Sequence, residues 1–229
     1  MTTRYAIYFS PPADQPLGRL GHGWLGRDPA GELPPPRPEG LPAPLPDIVS
    51  SPAHYGFHAT LKAPFEPADS ATEDDLLEFA RSVARHMEPV TLDDGLTVDE
   101  LGHFLALVPA GGADGLDQLA GHVVRTFEPY RAPVSAFDLA RRRLAALSER
   151  QEQNLVDWGY PYVFEEFRFH MTLTAELDED ARATWRTILT DGFAEIIGQP
   201  FTLDRICVFH QPARATPFRQ IAQFALGTE

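Results

Sequence analysis

Cysteine is almost absent. Cys207 is the only one in 229 residues, which excludes an intrachain disulfide and a cysteine-based metal cluster and permits a reducing compartment. Basic residues are in deficit, with 19 Lys and Arg against 33 Asp and Glu for a formal charge of −14. A surface with that balance repels a phosphate backbone over most of its area, so a long nucleic-acid partner is disfavoured. A small phosphate ligand in a local basic pocket is still allowed. Long apolar runs are missing too: none reaches the roughly 20 residues of a membrane span. Met1-Thr2-Thr3-Arg4 leads straight into Tyr5 to Phe9, without the pattern of a signal peptide. These absences point to a cytoplasmic chain with no membrane partner.

What is present is an ordinary globular composition, 43% hydrophobic and 23% charged, which excludes disorder and collagen-like repeats. The length fits one large domain or two small lobes. Tyr5, Ile7 and Phe9 alternate with Arg4, Ala6 and Tyr8 in the period of a first strand. The stretch 29–52 holds nine prolines, which remove donors and fix φ, so a long loop with neither helix nor central strand is predicted there. Tyr55 to Pro64 reads as a strand. Thr72 with Asp75 resembles a helix cap ahead of Leu76, Ala80, Val83 and Met87 at helical spacing. Pro89 to Asp93 and Phe104 to Val108 read as extended. One helix carries Leu116, Leu119, Val123 and Phe127 on one face, and another is predicted from Ser135 to about Leu155.

The second half repeats the first. Phe167-Arg168-Phe169-His170-Met171-Thr172-Leu173-Thr174-Ala175 aligns without gaps on Tyr55-Gly56-Phe57-His58-Ala59-Thr60-Leu61-Lys62-Ala63, matching at Phe, His, Thr, Leu and Ala. A helix pattern through Ala181, Trp185 and Phe193 follows. The two histidines then precede Pro-x-Thr-Leu-Asp segments by 31 and 30 residues. This internal duplication predicts an α+β protein, a single bilobal domain over 1–229, with repeats at about 55–108 and 167–226.

Because side chains alternate across a strand, Gly56, His58, Thr60 and Lys62 share one face, and Arg168, His170, Thr172 and Thr174 share its counterpart. An approximate two-fold axis between the halves brings the two polar faces to one cleft. That constellation suits phosphodiester chemistry. With an unperturbed pKa near 6.5, one imidazole accepts a proton from a nucleophile while the other donates to the leaving oxygen. Thr60 and Thr172 are candidate partners for the non-bridging oxygens, and Arg168 for their charge. Lys62, on the face of His58 but about 13 Å along it, is a further candidate for binding the phosphate. The chemistry calls for no metal and no cofactor.

The paired His-x-Thr strands resemble the signature of the two-histidine (2H) phosphoesterase superfamily, which includes RNA 2′,3′-cyclic phosphodiesterases and RNA-ligase-like proteins. Arg4 to Phe9, Tyr55 to Phe65, Gly159-Tyr160-Pro161-Tyr162 and Phe167 to Thr174 are similar, more narrowly, to the branch associated with bacterial phosphonate-utilisation operons. The resemblance implies a bilobal fold with two antiparallel-rich sheets facing a central cleft and helices outside. It places catalysis on His58 and His170 and phosphate binding on Thr60 and Thr172. The implied reaction is metal-independent hydrolysis of a small cyclic phosphate or phosphodiester, with a phosphate ester or a phosphonate as substrate. An RNA-end 2′,3′-cyclic phosphate is the alternative substrate, and a non-catalytic module that binds a phosphorylated metabolite or RNA end is the alternative class.

Other residues carry a plain reading beside a functional one. Tyr8, Tyr55 and Tyr162 are stacking candidates whose default is packing. Arg168 is balanced between ligand contact and an ion pair with Glu165 or Glu166. His54 and His58 have the spacing of a helical metal pair, but Pro52 and Gly56 argue against a helix there. Arg141-Arg142-Arg143 is a candidate anion site of which only one or two members face a cleft, since successive helix positions turn by about 100°.

Overall fold

The computed structural model describes residues 3–31, 33, 35–43 and 46–228. All six residues of β1 (Arg4–Phe9) are buried, because the strand runs between two antiparallel neighbours, β2 (Ala59–Phe65) and β8 (Arg205–Gln211). Its period-two pattern still sorts the side chains. Tyr5, Ile7 and Phe9 enter the main core, while Ala6 and Tyr8 join Cys207, Phe209 and Phe218 in a smaller cluster. The sheet has seven strands, in the order β4 (Leu96–Leu101), β5 (Phe104–Pro109), β6 (Met171–Thr172), β2, β1, β8 and β9 (Arg219–Ala225). A two-stranded sheet pairs β3 (Val90–Leu92) with β7 (Phe201–Leu203). The apolar faces of α1 (Pro16–Leu25), α3 (Glu73–Arg85), α4 (Asp114–Thr126) and α7 (Glu179–Gly192) also contribute to the main core.

The α+β class is as expected, but the strands of the two repeats are joined differently. They meet edge to edge, β2 on β6 with Ala59 opposite Met171, within one sheet rather than as two sheets facing each other. Each motif strand has a partner on one side only, β1 or β5, and pairing the two free edges satisfies their remaining backbone groups. Ala59 and Met171 are equivalent positions of the repeat. So are Thr91 and Thr202, which face each other in the small sheet with their hydroxyl oxygens 2.9 Å apart. An antiparallel pair in which equivalent residues oppose each other is what a local two-fold axis generates.

Three expectations need correction. The proline-rich loop 29–52 ends inside a helix, α2 (Pro46–Tyr55). Pro46 opens it, where the missing N–H costs nothing. Pro52 lies within it, and the Ile48 carbonyl that residue 52 would otherwise engage accepts instead from the Ala175 N–H at 2.6 Å. The strand predicted from Tyr55 begins only at Ala59, since Gly56, at φ +85°, terminates α2 first. The single helix expected from Ser135 is two, α5 (Ala136–Arg143) and α6 (Glu149–Trp158), because Ser148 and Gln151 form a second capping box. The α3 and α7 caps are Thr72 and Asp178. No helix among the described residues is long and apolar enough to cross a membrane.

Candidate active site

Ala59 and Met171 point into the main core, so their sequence neighbours face the other side of the sheet. Continuing the Ala59–Met171 register by one residue each way sets His58 opposite Thr172 and Thr60 opposite His170. The four side chains of the two motifs thus share one patch, each histidine beside the threonine of the other motif. The two histidines are diagonal neighbours, a spacing of about 7–8 Å in such a ladder, with the Cβ atoms somewhat closer.

The two imidazoles are held alike. His58 Nδ1 is 2.8 Å from the Gly56 carbonyl oxygen and His170 Nδ1 is 2.7 Å from that of Arg168, again equivalent positions. A carbonyl only accepts, so each Nδ1 carries the hydrogen and each Nε2 is left for chemistry. Thr60 Oγ1 sits 3.3 Å from His58 Nε2.

Their surroundings differ. Tyr8, directly opposite Thr60 on β1, stacks on His58 with ring centroids 3.8 Å apart. Tyr55 lies 6.1 Å from His58 and stacks on Phe218 at 5.3 Å, so it backs the site. Burial pushes the His58 pKa down to about 4, and the charge of His170 adds to the effect against the hydrogen bond to Gly56. His170 is also lowered by burial, opposed by its bond to Arg168.

Thr60, His170 and Arg168 line one cavity, walled also by Phe104, Gln151, Tyr160 and Tyr162. Arg168 is exposed and forms no ion pair among the described residues. Glu165 pairs with Arg150 and Glu166 accepts from Gln151, so the alternative of an Arg168 ion pair is not the arrangement found. Lys62 does not reach the cavity. Register shifts between β1 and β2 interrupt the strict alternation, and its ammonium is buried against Glu128 at 2.8 Å and the Val124 carbonyl at 3.0 Å. His54 does lie in a helix, but Gly56 ends that helix before His58, and His54 Nε2 contacts Gln211. Among the described residues no group of three or more His, Cys, Asp or Glu is placed to hold a metal ion. Sequence reasoning missed Phe104 and Gln151, which carry no motif and reach the cavity only through tertiary folding.

The model of a family described as "Protein of unknown function (DUF1045)" matches residues 60–219. Over 223 residues the chain is 39% identical to a ribose 1,5-bisphosphate phosphokinase PhnN of Janthinobacterium sp. (strain Marseille), covering 94% of this chain and 49% of the relative. A protein of the same name from Laribacter hongkongensis (strain HLHK9) is 34% identical, at 94% and 50% coverage. The chain spans about half the length of these curated relatives. Among solved structures, E. coli LigT complexed with 3′-AMP aligns over 100% of both chains at 15% identity and a TM-score of 0.46. TT0787 of Thermus thermophilus aligns over 99% of both at 14% and 0.48. With its model running from the first motif threonine through the whole second motif, the chain belongs to the DUF1045 family.

Proposed function

We propose that the chain is a metal-independent phosphodiesterase of the 2H type, acting on a small cyclic phosphate or phosphodiester. The observation that carries this reading is the register of β2 on β6, which gathers two histidines and two threonines of a repeated motif, each histidine held at Nδ1 by a backbone carbonyl so that Nε2 faces the threonines. The phosphate lies between the rings. Thr60 and Thr172 hydroxyls and the Arg168 guanidinium hold its non-bridging oxygens. His58, kept neutral near pH 7, takes a proton from water as the water oxygen bonds to phosphorus. His170, whose pKa rises when the anion arrives, gives its Nε2 proton to the leaving oxygen as the ester P–O bond breaks. Proton exchange with solvent then resets the pair.

The substrate class follows from two supports. A charge of −14 disfavours long RNA, and the curated relatives are named for a ribose bisphosphate. A ribose cyclic phosphate in phosphonate metabolism, handled in the cytoplasm, is the reading we favour.

A screen of ribose cyclic phosphates, RNA-end 2′,3′-cyclic phosphates and phosphonate esters by phosphorus NMR tests it. Turnover insensitive to EDTA is expected. His58→Ala and His170→Ala should each lower kcat by about 10²–10⁴ with the fold intact by circular dichroism. Full activity in either folded variant overturns the paired mechanism. Tight binding with no turnover of any ester instead makes the protein a binding module.

A further inference from the structure

The three consecutive arginines of α5 have three different fates. Arg141 reaches Asp138 at 3.4 Å and Arg143 reaches Glu152 at 2.5 Å, and both side chains are 49% exposed. Arg142 turns inward. Its guanidinium lies over the Tyr160 ring, 4.7 Å from the centroid, and its Nε is buried without a hydrogen-bond partner. A desolvated guanidinium N–H with no acceptor is costly, and native structures keep such a group where something else supplies the acceptor. Nothing apolar explains the helix position either, since α5 buries none of its residues.

The surroundings are cationic. Arg4, only 8% exposed, lines the same recess as Arg142 and is held by the neutral amide oxygen of Gln211. The carboxylates nearby, Asp138 and Glu66, are both taken by Arg214. The recess is thus lined by Arg4, Arg131 and Arg142 with Glu66 and Asp138, and Arg131 has Glu128 as its partner, which leaves Arg4 and Arg142 without a carboxylate of their own in a chain whose overall charge is −14. This patch adjoins the histidine pair. The Tyr8 ring stacks on His58, and its phenol lies within electrostatic reach of Tyr160, Arg4 and Arg142. Tyr160 also walls the cavity that His170 and Thr60 line.

We propose that Arg142, with Arg4, forms a second anion subsite, so that the preferred substrate carries a terminal phosphate monoester besides the phosphodiester that reacts. The inference rests on the phosphodiesterase reading and deepens it. A monoester phosphate fits because the guanidinium fork offers paired donors to its oxygens, and the tyrosine beneath fixes the plane of that fork.

The test compares adenosine 2′,3′-cyclic phosphate with and without a 5′-phosphate. Wild type should favour the phosphorylated ester by at least tenfold in kcat/KM, chiefly through KM. Arg142→Gln should bring the ratio close to one, Arg142→Lys should restore part of it, and Arg141→Gln, on the solvated side of the same helix, should keep it. No preference in wild type, or a ratio that survives Arg142→Gln, overturns the subsite. If wild type hydrolyses neither ester, the phosphodiesterase reading is what suffers, and the subsite is judged by calorimetry. Fructose 1,6-bisphosphate should then bind at least tenfold tighter than fructose 6-phosphate, with the difference lost in Arg142→Gln; equal affinities overturn it.

Discussion

His58 is the residue on which the proposed chemistry is most sensitive to environment. Its ring is covered by Tyr8 and held at Nδ1 by Gly56, and burial outweighs that hydrogen bond to bring the pKa to about 4. The native state therefore refuses a proton that the unfolded chain accepts near 6.5. Between these values the unfolded state binds more protons, so stability rises with pH across this window and is lost as pH falls through it. The contribution is about 1–3 kcal/mol after discounting for partial solvent access. Urea unfolding at pH 4 and pH 7 should show this loss in wild type, and His58→Ala should shrink it; an unchanged pH slope in the variant contradicts the buried neutral imidazole.

At the scale of elements, Gly21 of α1 shows what the site costs its neighbours. A Cβ there would lie 2.1 Å from the ring of Phe57, the residue before His58. Gly21→Ala should destabilise the fold by about 1–3 kcal/mol and reduce turnover by displacing His58, read by thermal unfolding beside kcat. A variant as stable as wild type sinks the claim that α1 seats the motif. Close contacts of this kind explain why α1 is not legible in the sequence: Gly18, Gly21 and Gly23 weaken every local helix signal, and what requires them is the approach of Pro12, Phe57 and Pro36 respectively. Pro52 hides α2 for a similar reason, since the donor that makes its place tolerable is Ala175, far along the chain. By contrast α3 and α7 are legible because their caps and apolar spacing are local. Lys62 misleads for the converse reason: alternation puts it beside His58, but register shifts and a carboxylate on the other side draw it away.

At the scale of the whole molecule the scaffold is symmetric where the proposed reaction cannot be. The repeat, legible in the sequence, gives two motifs whose central residues pair on a local two-fold, and a symmetric pair of histidines has no reason to divide into base and acid. The division comes from what each half places beside its threonine. Tyr8 faces Thr60 across β1, whereas the corresponding position facing Thr172 is Ala106 on β5. The tyrosine fills the space over His58 and desolvates it. His170 has Phe104 at 5.8 Å and the open cavity instead. Tyr8→Leu keeps an apolar side chain while removing the stacked ring, so the His58 pKa should climb from about 4 towards 6.5 while that of His170 moves little. Proton NMR titration of the two imidazoles measures this directly, and the acid limb of kcat/KM should shift upward with His58. If both histidines titrate in the variant as they do in wild type, the asymmetry lies elsewhere than in the Tyr8 and Ala106 difference, and the assignment of His58 as base loses its physical cause.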